Sequence, residues 1–236
     1  MKPASCTRCS DVLRRKFESH GIAVIPDIKC KSPAEGVLIK ESDPVSIAVE
    51  LAGNGAPMIS VVTEKHHYGG SVRLLEQIAV KVNVPVLRKD FITYADQLKE
   101  SVDIGASGVL LIASKLEHRT LFELFEASLM LGIEPLVEIH SIEDIKMIEA
   151  LKLTFVGINN RNILELETDD GTVGNTELLA RYLPGDALLV SESSISCRED
   201  VRRAAAAGAK AVLAGTAILK APDPSAMYRL LADAVF

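Results

Sequence analysis

The chain has 236 residues, with 26 Lys and Arg against 32 Asp and Glu, a formal charge of −6, and a composition 48% hydrophobic and 25% charged. That balance argues against an electrostatic nucleic-acid binder, which needs a basic surplus, and the hydrophobic share excludes a disordered chain. No apolar run approaches the ~20 residues of a membrane-spanning helix, the N-terminus lacks the apolar core of a signal peptide, and four cysteines make no disulfide scaffold. The expectation is a soluble cytoplasmic protein with neither nucleic acid nor membrane as partner, and a monomer is its simplest state.

In chain order, short β-branched apolar runs fall at residues 22–29, 58–63, 84–87, 108–112, 133–139, 155–158, 187–192 and 211–214. Between them the periodicity is helical. Leu121, Leu124, Phe125 and Leu129 share one helical face, as do Ile142, Ile145 and Ile148, then Met227, Leu230 and Leu231. Asp43-Pro44 and Asp223-Pro224 place a cap before a first-turn proline, while Ser141 with Asp144 and Ser196 with Glu199 resemble capping boxes. Gly55-Ala56, Gly105-Ala106 and Gly208-Ala209 end helices just ahead of strands. Eight strand–helix units with short connections predict parallel strands, right-handed crossovers and a single-domain (β/α)8 TIM barrel over residues 22–236, after a short lead-in of residues 1–21. A doubly wound open sheet competes, but no glycine cluster follows the first strand.

Polar groups stand inside or just past these runs, at the barrel end where active sites form. Alternate strand residues face the interior. That parity groups Ile25, Asp27 and Lys29; Leu87, Lys89 and Phe91; Leu136, Glu138 and His140; and Gly157 with Asn159. The seventh run ends Ser191-Glu192-Ser193. Each charge taken alone is a solvated strand end or a structural ion pair. Two lysines, Asp27, Glu138 and Glu192 at one barrel mouth point instead to acid–base catalysis, because buried charge is costly unless paired or used. Ser193, Ser194, Gly215 and Thr216 offer hydroxyls and approachable backbone at the seventh and eighth strand ends, where barrels commonly bind phosphate. With the lysines, they favour a small phosphorylated substrate.

Six strand-end words now carry a resemblance. Asp27-Ile28-Lys29-Cys30-Lys31-Ser32-Pro33 resembles the E-x-K-x-x-S-P signature of indole-3-glycerol phosphate synthases. Leu87-Arg88-Lys89-Asp90-Phe91-Ile92 is similar to that family's third-strand motif. Leu136-Val137-Glu138, Gly157-Ile158-Asn159-Asn160-Arg161-Asn162, Ser191-Glu192-Ser193 and Leu213-Ala214-Gly215-Thr216 follow in family order.

The resemblance implies ring closure of 1-(2-carboxyphenylamino)-1-deoxyribulose 5-phosphate to indole-3-glycerol phosphate, a step of tryptophan biosynthesis that releases carbon dioxide and water and needs no cofactor and no metal. Carried over, Lys89 is the general acid at the carbonyl oxygen and Glu138 the general base. Glu192 and Asn159 support dehydration and orientation, and Asp27 and Lys29 complete the catalytic group, Lys29 binding substrate anions. Ser32, Phe91, Leu111, Arg161 and Ile163 line the substrate pocket, with Phe91 and Leu111 packing the aromatic ring. Ser193, Ser194, Gly215 and Thr216 hold phosphate. Another phosphosugar isomerase barrel, or a phosphate-binding relative without activity, remains an alternative.

The chain departs from the family pattern at Asp27, where glutamate is usual, at Ser194, where glycine is usual, at Tyr68, where phenylalanine is usual, and in its short lead-in. The Cys6 and Cys9 pair lacks partners for a metal knuckle and reads as a solvated terminal segment. His66-His67 sits on a loop, Arg14-Arg15-Lys16 reads as the polar face of a short helix, and Arg202-Arg203 is too short a basic run for a nucleic-acid patch.

Overall fold

The computed structural model describes residues 8–39, 43–161 and 171–234. Among these, eight parallel strands close into a barrel. They are β1 (Ala23–Ile28), β2 (Ile59–Val62), β3 (Val86–Lys89), β4 (Gly108–Ile112), β5 (Glu134–Ile139), β6 (Phe155–Asn159), β7 (Leu188–Glu192) and β8 (Ala211–Ala214). Every predicted strand run is present, with edges displaced by two residues at most. The exception that matters is the third run, which extends two residues further and takes in Lys89. Closure is direct: Ile25 pairs with Leu213 of β8, and Asp27 with Ser60 of β2.

The helices follow their capping chemistry. After α1 (Cys9–His20), α2 (Pro44–Gly53) starts at Asp43, whose carboxylate accepts from the Val45 and Ser46 backbone N–H groups. Next come α3 (Val72–Lys81), α4 (Ala95–Asp103), α5 (His118–Met130) and α6 (Ile142–Ile148), the last capped by Ser141. They are followed by α7 (Gly174–Leu179), α8 (Arg198–Ala206), α9 (Thr216–Lys220) and α10 (Pro224–Ala232), the last capped by Asp223. The cap of α8 lies one residue later than predicted, at Cys197 with Asp200. Leu129 and Leu230, assigned to core faces, are 40% and 42% exposed; Ser128, one residue before the first, and Tyr228, two before the second, take the buried positions. Gly55, Gly105 and Gly208 have φ of 92°, 86° and 104°, the left-handed conformation expected after a helix.

Two apolar shells hold the fold. The outer one joins strands to helices, while the inner one fills the barrel with Ala23, Ile25, Met58, Leu87, Leu110, Ile112, Leu136, Phe155, Val190 and Leu213. Cys9 and Leu13 of α1 belong to the inner shell and are fully buried. Glu134 at the start of β5 accepts from the Ser10 backbone N–H (2.9 Å) and from its hydroxyl, fixing α1 against the strand-start end of the barrel. The expectation of a solvated Cys9 is therefore corrected: burial pushes its thiol far above the ordinary range, as in a structural cysteine. Cys6 lies outside the described residues.

Candidate active site

The strand-end parity places Asp27, Lys29, Lys89, Phe91 and Glu138 around one cavity, together with Val62, Glu64, Tyr68, Asp90, Leu110 and Ile112. A second cavity of about 200 Å³ shares Asp27, Lys29 and Lys89 and continues past Glu35, Arg161, Ser193, Ser194, Gly215, Thr216 and Lys220. The mouth thus has an inner apolar compartment and an outer polar one, with two lysines on the wall between them.

The inner compartment centres on an ammonium between two carboxylates. Lys89 Nζ lies 3.0 Å from Glu192 Oε2 and 3.8 Å from Glu138 Oε2. Both acids are sealed from solvent, at 0% and 1% exposed. Gly157 makes this possible, since a Cβ there would stand 1.9 Å from Glu192 Oε1. Burial, with Glu138 adding to it and Lys89 opposing, pushes the Glu192 carboxyl up to about 8. Burial thus favours the protonated form of Glu192 over its ionised form. Asp27 accepts a 2.6 Å hydrogen bond from the Ser60 hydroxyl, which aims the shorter carboxylate from the adjacent strand.

The elements behind these side chains are firmly held. Arg88, facing away from the barrel interior and 2% exposed, donates to Thr63, Glu100, Ser101 and Asp90. Asp90 also accepts from Thr63 Oγ1 and from the Phe91 backbone N–H, which sets the turn that presents Phe91. Glu64 accepts from the backbone N–H groups of His66, His67 and Tyr68 at 2.7–3.0 Å. Burial raises its carboxyl, but these donors outweigh burial and hold it below the usual range. His66 and His67 thereby serve through their backbone, and Tyr68 is carried into the cavity wall.

In the outer compartment, Ser193 and Ser194 are left-handed, with φ of 63° and 57°. Asn160 braces this turn: its amide donates to Ser191 Oγ and to the Glu192 and Ser193 carbonyls, while its oxygen accepts from Thr176. Gly215 packs against Asp27, where a Cβ would stand 3.0 Å from the Asp27 carbonyl oxygen. Arg161 Nε lies 3.4 Å from Ser194 Oγ. Above the cavity a short hairpin pairs Lys31–Ser32 with Gly36–Val37, and Glu35 at its tip bridges to Lys220 at 2.6 Å.

Several expectations need correction. Leu111 faces the helices in the outer shell, and Leu110 and Ile112 line the cavity instead. Strand alternation from Gly108 carries that signal, and it outranks the choice of Leu111. Ser32 is buried within the hairpin and lines neither cavity, where Glu35 enters in its place. Asn159, expected to support dehydration and orientation, is buried at the end of β6, and its Oδ1 accepts from the Arg161 backbone N–H. Ile163 lies outside the described residues. Sequence reading missed Glu64, Glu35, Lys220 and Lys115, whose ammonium sits 5.4 Å from the centre of the Phe91 ring. Lys220 had a signal, being a cation in the last turn of a helix that starts at the predicted Thr216. Glu35 had none.

A family model described as indole-3-glycerol phosphate synthase matches residues 2–231. The chain is similar to proteins named indole-3-glycerol phosphate synthase from three sources. That of Kineococcus radiotolerans is 39% identical over 221 residues, covering 94% of this chain and 78% of the relative. That of Pyrococcus furiosus is 38% identical over 211 residues, covering 89% and 92%. That of Albidiferax ferrireducens is 41% identical over 223 residues, covering 94% and 83%.

Proposed function

The chain belongs to the indole-3-glycerol phosphate synthase family, and from that premise we propose how its barrel mouth closes the indole ring. The enzyme is a carboxy-lyase that converts 1-(2-carboxyphenylamino)-1-deoxyribulose 5-phosphate to indole-3-glycerol phosphate, carbon dioxide and water. It acts on a small phosphorylated substrate, and among the described residues no helix is long and apolar enough to cross a membrane.

Lys89 gives a proton to the substrate carbonyl oxygen while the ring carbon bearing the carboxylate attacks the carbonyl carbon. Carbon dioxide leaves from that ring carbon, and the bonding pair restores aromaticity. The new hydroxyl then departs as water after taking a second proton, and Glu138 removes one from the adjacent position to form the double bond. Glu192, buried and protonated beside Lys89, is suited to supply the second proton. Two protons given, one taken and the carboxylate's charge lost as carbon dioxide leave the charges balanced. Each such transfer contributes roughly 10²–10⁴-fold. Phe91, Leu110, Ile112 and Tyr68 form the apolar wall for the aromatic ring, and holding the reacting carbons together lowers the entropic part of the barrier. Lys29, Arg161, Ser193, Ser194, Gly215 and Thr216 receive the phosphate.

The observation that carries this reading is the Lys89 ammonium between Glu138 and Glu192, on a wall shared by an apolar and a polar compartment. The test is fluorescence of indole-3-glycerol phosphate formed from the synthetic substrate by the purified protein. Product supports the assignment; binding of the substrate without turnover points to a phosphate-binding relative.

A further inference from the structure

We propose that His140 is a positioning residue that orients Glu138 and keeps it the ionised member of the buried acid pair. The inference rests on the reading of Glu138 as the general base. Lys89 alone cannot neutralise two sealed carboxylates, so something must decide which acid gives up its proton. His140 Nε2 lies 3.3 Å from Glu138 Oε1, on the side away from Lys89, which approaches Oε2. Glu138 therefore has a nitrogen on each side. Glu192 lies nearer to Lys89, at 3.0 Å.

The imidazole is itself held in place. Asp144 accepts from the His140 backbone N–H at 2.7 Å, and Asn175 donates to the His140 carbonyl at 3.1 Å. Ser114 Oγ lies 3.5 Å from Nδ1, and Asp144 Oδ2 lies 3.8 Å from the same nitrogen. With the Ser114 hydroxyl donating to Nδ1, the neutral ring carries its proton on Nε2, the nitrogen 3.3 Å from Glu138, a contact without hydrogen-bond geometry. A protonated ring sets its positive charge 3.3 Å from Glu138 and has Asp144 behind it. The protonated ring and the Nε2–H tautomer, which the proposal includes, both favour ionised Glu138 over protonated Glu138.

The other charged groups on this cavity are Asp27 of β1 with Lys29 just after it, Glu64 after β2, and Lys89 of β3 with Asp90 just after it, while Glu192 comes from β7. His140 approaches Glu138 at 3.3 Å, nearer than Asp144 at 3.8 Å, so its removal acts on the acid pair at Glu138.

Two variants test this, His140→Ala and His140→Gln, the second retaining an N–H donor without a titrating ring. The inference expects His140→Ala to lower kcat about tenfold or more with KM within about threefold. It also expects the acidic limb of the kcat–pH profile to move to higher pH, and His140→Gln to recover most of both. Unchanged kcat in His140→Ala, or equal losses in both variants with an unmoved limb, would overturn it. A carbon-13 NMR titration of the Glu138 side-chain carboxyl reads the same effect without turnover. Its midpoint should rise in His140→Ala and return in His140→Gln. An inactive wild type with that shift present would sink the functional reading alone, whereas an active wild type with no shift would sink the His140 inference alone.

Discussion

Lys89 Nζ stands 3.0 Å from Glu192, a side chain 103 positions away and wholly sealed from solvent, so a buried charge contact of the mouth joins β3 to β7 across the barrel axis. The barrel converts two unremarkable strand-end words into one acid–base unit. Neither lysine nor acid is anchored by its own strand alone; each is where it is because the sheet closes.

The first consequence is a pH dependence of stability. Glu192 ordinarily titrates near 4.5 and is pushed up to about 8 here, chiefly by burial. Between these values the folded chain holds a proton that the unfolded chain has released. Stability therefore falls as pH rises from about 4.5 to about 8, by up to about 1.4 kcal/mol per pH unit, and levels off above. Urea denaturation across this range should show a steeper decline for wild type than for Glu192→Gln. Parallel curves contradict the buried proton.

Leu110 and Leu111 separate packing from catalysis. Leu111→Ala removes a helix-facing side chain and should cost about 2–5 kcal/mol while kcat/KM stays within about twofold of wild type. Leu110→Ala opens the aromatic wall and should raise KM several-fold. Thermal melts paired with steady-state kinetics decide it, and the reverse pattern would show that the strand is a residue out of register.

That pair also marks how far sequence reading reaches. Strand positions, barrel closure and the inward parity of Asp27, Lys29, Lys89 and Glu138 were legible because period-two alternation and short connections leave few topologies. Leu111 went wrong where a run of four apolar residues hides its own phase and the alternation had to be counted from Gly108. The α1 plug was illegible for another reason. Cys9, Ser10 and Leu13 look like an ordinary polar lead-in until Glu134, more than a hundred residues on, supplies the partner for Ser10. Glu35 and Lys220 are likewise 185 positions apart, and no local pattern links them.

Among the described residues Glu35 joins Asp27 as a carboxylate lining the outer compartment, and its bridge to Lys220 holds it below the usual carboxylate range. A phosphate arriving there meets like charge and must compete for Lys220. Glu35→Gln should lower KM for the phosphorylated substrate about two- to fivefold, less at high salt, with kcat little changed. A raised KM in steady-state assays would mean that the hairpin needs this bridge to hold the site together.

Ser194 occupies a left-handed position where a Cβ costs about 1–2 kcal/mol. Glycine relieves that but adds about 0.5–1 kcal/mol of unfolded-state freedom. Ser194→Gly should thus stabilise the protein by about 0.5 kcal/mol, seen as a small rise in the urea midpoint. A clear loss would show that the contact between Ser194 Oγ and Arg161 outweighs the backbone strain.

The most direct measurement compares turnover of Lys89→Met with that of Lys99→Met, the latter removing only an exposed ammonium paired with Asp96. The account predicts that Lys89→Met loses at least about a hundredfold in kcat with KM changed far less, and that Lys99→Met matches wild type. Comparable turnover in all three proteins would contradict it.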